Sequence, residues 1–261
     1  MTWKSAYAFV QGSGHQQGGV SCQDRSFSIM GEHLSVVSLA DGAGSCKHSH
    51  IGAEVVTKLV CRILKKKFER LFSQDELIAK NDIHSELEKE LAKRANLLTI
   101  HEEELASTLL FVAVKYNRYI AGHIGDGAIG ILTEKGLDVL SHPERGEFAN
   151  TTYFVTDPWA LDHFRMYRGH LMGTYGFILM SDGACSSLYE YEKKVLNIES
   201  EKMLNWLKDN DEAVVRKALR RNIEEVLTRK TDDDCSICLL RLVENEVEIS
   251  KAPDDQSTFP F

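Results

Sequence analysis

No apolar run in this chain approaches the roughly 20 residues that cross a bilayer. The N-terminal stretch MTWKSAYAFVQGSG also lacks the basic-then-apolar layout of a secretory leader. Membrane insertion and export are therefore not expected, and cytoplasmic residence is the default. Positive charge is short: 31 Lys and Arg against 39 Asp and Glu leave a net charge of −8, which argues against a general nucleic-acid binder. The six cysteines are scattered, mostly among apolar neighbours, and read as reduced thiols. Cys235 and Cys238 form a CxxC pair, but no second pair stands at ligand spacing, so zinc is disfavoured. On a strand those two would also face opposite sides. The glycine-rich stretch 12–19 lacks the lysine and the helix of a phosphate-binding P-loop, and reads as a flexible loop beside a site. Cys22 is not part of a Cys-x5-Arg loop, which removes a thiol phosphatase. No internal repeat and no linker divides the sequence.

What the sequence does have is aspartate at the ends of strand-like runs. The stretch LSVVSLADGAGS begins with the apolar, β-favouring Val36, Val37 and Leu39 and stops at Asp41-Gly42. Gly125-Asp126-Gly127 follows the apolar run 119–123, and Ser181-Asp182-Gly183 follows Phe177-Ile178-Leu179-Met180. Asp24 precedes a short strand-like segment, and Asp232-Asp233-Asp234 precedes Ile237 to Leu240. A carboxylate at the end of a buried strand aims charge out of a core, and glycine lets a ligand approach the backbone. The central expectation is that these aspartates meet at one site for a hard metal ion, since oxygen ligands suit Mg²⁺ or Mn²⁺ rather than zinc.

A hydrophobic fraction of 43% over 261 residues allows a large core. Strands are expected near 3–11, 27–30, 34–40, 107–116, 118–123, 128–132, 137–140, 164–169, 175–180 and 235–243. Helical spacing covers 49–71, with Ser49 as N-cap, and 75–98, with a break near 80–82. It recurs over 184–191, 193–207 and 211–227. Residues 141–162 read as a long surface excursion. The strands fall in antiparallel blocks with helical pairs inserted twice, so one α+β domain over 1–248 is expected: two stacked antiparallel sheets flanked by helical layers. The tail 249–261 is expected to be poorly ordered.

Gln23-Asp24, Asp41-Gly42, Ala106-Ser107-Thr108, Ile124-Gly125-Asp126, Ser181-Asp182-Gly183 and Asp233-Asp234-Cys235-Ser236 occur in that order. The series resembles the metal-dependent protein phosphatases of type 2C, most of all their compact bacterial branch, over about residues 10 to 243. The resemblance implies an α-β-β-α sandwich and a serine/threonine phosphoprotein phosphatase. It implies two Mn²⁺ or Mg²⁺ ions, with room for a third, and in-line attack on phosphorus by a hydroxide bridging the metals. It assigns Asp41, Asp182 and Asp233 to catalysis through the metals. The implied ligands are Asp24, Asp41, Asp126, Asp182, Asp233 and the Gly42 carbonyl. Asp234 falls where the family has Asn or Asp. Two departures stand out. Gly19 occupies the place of a phosphate-binding arginine, with Arg25, Lys47 and His48 as nearby cations. Ala43 replaces a histidine general acid, with His15, His48 and His50 as candidates. The partners implied are phosphorylated proteins, among them a cognate Ser/Thr kinase or its targets, met by a monomer with no nucleic acid and no membrane. Two other readings remain open: a regulatory module that keeps the fold without turnover, and a hydrolase of small phosphometabolites.

Overall fold

The computed structural model describes residues 1–144 and 152–244. Its elements are β1 (Thr2–Val10), α1 (Ser13–Gly18), β2 (Arg25–Ile29), β3 (Leu34–Ala40), α2 (Ser49–Ser73) and α3 (Glu76–Leu98). Then come β4 (Leu109–Lys115), β5 (Arg118–Ile124), β6 (Ala128–Thr133), β7 (Gly136–Ser141), α4 (Ala160–His163), β8 (Arg165–His170) and β9 (Thr174–Met180). The chain continues through α5 (Asp182–Leu188), β10 (Tyr189–Glu190), β11 (Val195–Leu196), α6 (Ile198–Asp209), α7 (Glu212–Asn222) and β12 (Cys235–Val243).

Two five-stranded antiparallel sheets result, ordered β1-β12-β9-β6-β7 and β2-β3-β4-β5-β8. The period of two along each strand sorts its side chains into layers. On β3, Val37 and Leu39 face the other sheet, where they meet Phe177, Leu179 and Leu240. Val36 points the opposite way, toward Val56, Val60, Ile83 and Leu87 of α2 and α3. On β12, Ile237 and Leu239 face Leu204, Leu207, Val215 and Leu219 of α6 and α7. The result is the expected α-β-β-α sandwich. Cys235 and Cys238 fall in different core layers, as their spacing implies, and are free thiols.

Several local expectations need correction. Residues 12–19 are not a flexible loop. They form α1, closed by Gly19 in the left-handed cap position at φ 65°. Gly12 N–H donates to Asp234 at 2.8 Å and Gly14 N–H to the Asp232 carbonyl at 2.8 Å, which pins the turn to the start of β12. Ser49 is not the cap of α2 but its first residue, and its hydroxyl donates to the Cys46 carbonyl. The break near 80–82 is absent. Ala79, Ile83, Leu87 and Leu91 keep one buried seam, Lys80 pairs with Glu76, and Asp82 accepts from Arg70 and Gln74. The helices expected over 184–191 and 193–207 are interrupted by the β10–β11 hairpin. Lys194 turns at φ 56° there, and Asn197 caps the start of α6 through Ser200 N–H. The tail 249–261 lies outside the described residues.

The registers carry the aspartates to one rim. Arg25 pairs with Ala40, Val10 with Cys235, Met180 with Ile237 and with Ala128, and Leu109 with Ile124. The chain therefore enters or leaves both sheets at the same end beside Asp24, Asp41, Asp126, Asp182 and Asp233.

One buried histidine sets a pH dependence. His123 on β5 is fully buried, with Nδ1 2.8 Å from Ser141 Oγ. Burial, then the Arg165 charge, holds its pKa well below the ordinary 6.5. Below pH 6.5 the unfolded chain takes up a proton that the folded chain refuses. Its contribution is therefore present above that pH and lost as pH falls, at up to about 1.4 kcal/mol per pH unit. His123→Asn is expected to flatten that part of the acid slope of urea stability. Equal slopes in the two proteins would contradict it.

Candidate metal centre

Asp41 follows β3 directly, and its backbone is held on both sides by Thr108. Thr108 Oγ1 accepts from Asp41 N–H at 2.9 Å, and Thr108 N–H donates to the Asp41 carbonyl at 2.8 Å. Ala43 N–H donates to the Ala106 carbonyl, so Gly42 and Ser107 form a non-hydrogen-bonded antiparallel pair. In such a pair the central residue's own N–H and C=O point away from the partner strand. The Gly42 carbonyl is thus directed away from Ser107 and left free of that strand.

Asp24 is fully buried, and neither of its carboxylate oxygens closes a hydrogen bond to a described residue. It faces Asp41, Ser236, Asp234 and Asp182. Burial first, offset in part by the Asp41 and Ser236 side chains, pushes its pKa up to about 8. Asp41 is also raised, first by burial and then by the charges of Asp24, Asp182 and Asp233. Asp182 begins α5, where its Oδ1 accepts from Gly183 N–H at 2.6 Å. Asp233 is pushed up to about 6 by burial and by Asp182, while its Oδ1 accepts from Asp234 N–H. Asp41 thus feels the charges of Asp24, Asp182 and Asp233, and the Asp182 charge also reaches Asp24 and Asp233.

Asp234 plays a different part. It is buried and satisfied: Gly12 N–H and Gln23 N–H donate to it at 2.8 and 2.5 Å, and His15 Nδ1 stands 2.9 Å from Oδ2. This cradle ties the start of β12 to α1 and to the segment carrying Asp24. It also gives His15 a bracing position beside Asp234. Asp232 is exposed and accepts from Ser13 Oγ, the loop acid expected from the sequence. Asp126 lies in the β5–β6 turn. Ala128 pairs with Met180, so two residues back Asp126 comes level with Asp182.

The candidate cations sit around this rim. Arg25 Nη1 donates to the Cys22 and Asp24 carbonyls at 2.7 Å, and the guanidinium lies over the Phe9 ring. Lys47 is exposed, and His48 Nδ1 is 3.5 Å from Glu104. The pKa of His50 is lowered by burial and by the charges of Arg25 and His48. The Thr108 clamp and the Asp234 cradle were beyond sequence reasoning, although both residues lie in the motifs quoted above.

The donor set fits hard divalent cations. It consists of carboxylate oxygens and a backbone carbonyl, and the two Asp24 oxygens are buried without hydrogen bonds. Among the described residues, no three His, Cys, Asp or Glu side chains already close on a single point; the carboxylates stand as facing neighbours.

Comparison with known proteins decides the family. A model of the protein phosphatase 2C family matches residues 11–227. The chain belongs to this family. Its activity is metal-dependent hydrolysis of serine and threonine phosphoesters in proteins, and a regulatory module without turnover is not the favoured reading. Serine/threonine-protein phosphatase 3 of Escherichia coli (strain K12) is 25% identical over 173 residues, 64% of this chain and 68% of that protein. The catalytic domain of the serine threonine protein phosphatase PstP, solved in complex with two manganese ions, superposes with a TM-score of 0.60. It is 18% identical and covers 93% of this chain and 99% of its own. PppA, described as a key regulatory component of T6SS in Pseudomonas aeruginosa, gives a TM-score of 0.61 at 18% identity, over 92% and 98% of the two chains. These structures share the fold. No helix among the described residues is long and apolar enough to cross a membrane.

Proposed function

We propose that Asp24, Asp41, Asp182, Asp233 and the Gly42 carbonyl hold a pair of Mn²⁺ or Mg²⁺ ions, with Asp126 and Asp182 as the site of a third. The observation that carries this reading is Asp24, fully buried with neither oxygen hydrogen-bonded and facing Asp41 and Asp182. Bound there, such ions lower the pKa of a coordinated water and neutralise charge on a phosphoryl group. The chain's own residues do the rest. Thr108 fixes the backbone of Asp41. The Asp234 cradle, with His15 behind it, fixes the register of Asp233. Arg25 is anchored beside the Asp24 carbonyl, a cation close to where an incoming phosphate needs one. The absence of arginine at Gly19 leaves that role to Arg25, Lys47 or His48.

The substrates are proteins phosphorylated on serine or threonine, including a cognate kinase or its targets. The purified chain is expected to hydrolyse p-nitrophenyl phosphate and a phosphothreonine peptide with added Mn²⁺, and to lose both activities in EDTA. Comparable rates in EDTA would rule this reading out. A rate on small phosphometabolites far above that on phosphopeptides would reassign the substrate class.

A further inference from the structure

Arg165 begins β8 opposite His123 of β5. Two stretches of chain meet at its guanidinium. Nη2 donates to the Gly125 carbonyl at 3.0 Å, Nη1 donates to the His142 carbonyl, and Nε lies 3.1 Å from Glu144 Oε2. Glu144 closes the arrangement. Its N–H donates to the same Gly125 carbonyl at 3.2 Å, and its Oε1 lies 2.9 Å from His163 Nδ1. The His163 ring in turn stacks on Tyr153.

The peptide held this way is unusual. Gly125 sits at φ 118°, where L side chains rarely go, and a Cβ there would meet Thr108 Cγ2 at 2.5 Å. Glycine takes such a backbone without steric cost but also without preference for it, so its surroundings must select it. Here the two donors on one carbonyl supply part of that constraint. Asp126 is the next residue, and Thr108 is the clamp of Asp41. The Arg165 contact thus lies one peptide from one candidate ligand and one side chain from another.

We propose that Arg165 is a positioning residue. By holding the Gly125 carbonyl and Glu144 together, it sets the direction of the Asp126 carboxylate for a divalent cation. The inference rests on the reading of Asp126 as a ligand. The planar fork matters, because a guanidinium offers several donors in fixed geometry and a lysine ammonium does not. Groups that orient a ligand from behind typically change metal affinity by about 10–100-fold when removed.

The test is calorimetric titration of Mn²⁺ into the wild type, Asp126→Asn, Arg165→Met and Glu144→Gln. Amide hydrogen exchange at residues 125–127 is followed in parallel without added metal. Arg165→Met is expected to weaken, by about 10–100-fold, the same Mn²⁺ event that Asp126→Asn removes. Exchange at 125–127 speeds up while the centre of β3 is unchanged. Glu144→Gln, which keeps the shape, gives a smaller change of the same kind and serves if Arg165→Met does not fold. Unchanged exchange at 125–127 overturns the inference, and so does faster exchange with unchanged Mn²⁺ affinity. If Asp126→Asn leaves every Mn²⁺ event in place, the ligand reading of Asp126 fails and the inference falls with it. That outcome is recognised from those two proteins alone.

Discussion

Asp41→Asn is expected to lower kcat/KM on a phosphothreonine peptide by about a thousandfold or more while leaving the protein folded. Metal-borne charge stabilisation is worth several kcal/mol, and each 1.4 kcal/mol or so is a factor of ten. Asparagine keeps the shape of the side chain and leaves the Thr108 clamp intact, since both of those bonds go to the Asp41 backbone. What it removes is the charge and one oxygen donor. The stability change should run opposite to the activity change. The Asp41 pKa is raised in the folded chain by burial and by Asp24, Asp182 and Asp233. A carboxyl with a raised folded pKa contributes stability at low pH and loses it as pH rises. At neutral pH without metal the wild-type carboxylate is therefore a burden, and Asp41→Asn should melt at the same temperature or higher. Full activity in the variant would remove Asp41 from the mechanism. A large fall in Tm alongside the lost activity would make the residue merely structural.

Gly183→Ala is the second large effect. A Cβ at Gly183 would lie 2.1 Å from the Asp234 carbonyl oxygen and 3.3 Å from Cys235 Sγ. The near atom is backbone, held by the cradle on Asp234, so it cannot swing aside as a flexible side chain would. Relief requires α5 to move away from the start of β12. Asp182 and Asp233 sit one residue from the two colliding positions and would part together. Misplacement by about 1 Å costs on the order of a hundredfold in rate, and the overpacking costs about 1–3 kcal/mol of stability. Gly19→Asn is the matched control. Gly19 also lies on the site's flank, but a Cβ there meets nothing within 4 Å, and asparagine tolerates its left-handed backbone. Its kcat/KM should stay within about twofold. If Gly183→Ala retained full rate and Tm, the close packing of α5 on β12 would not be what holds the two carboxylates in place.

The sandwich was legible because each strand carries its own signal. Residues 34–40 and 235–243 are dense in Val, Leu and Ile, and both become strands with the expected ends. The aspartates were legible because strand ends that stop at Asp-Gly need a reason to put charge there. The supports were not. Asp234 is held by backbone N–H groups of Gly12 and Gln23, more than 200 positions away, and backbone donors leave no mark in the residue types. The turn at 12–19 read as loose because glycine and polar residues lower helix propensity, yet long-range bonds to 232–234 order it. The unbroken α3 followed the same rule, with Arg70 and Gln74 of the preceding helix and its linker satisfying Asp82. Arg165 carried no motif. Its meaning lies in the carbonyls it reaches.

The central claim is that Asp24, Asp41, Asp182 and Asp233 grip divalent ions together. A crystal grown with Mn²⁺ and measured at the manganese edge tests it most directly. Two strong anomalous peaks are expected among these four carboxylates, both lost or displaced in Asp41→Asn. Peaks elsewhere on the molecule, with none between Asp24 and Asp41, would contradict it.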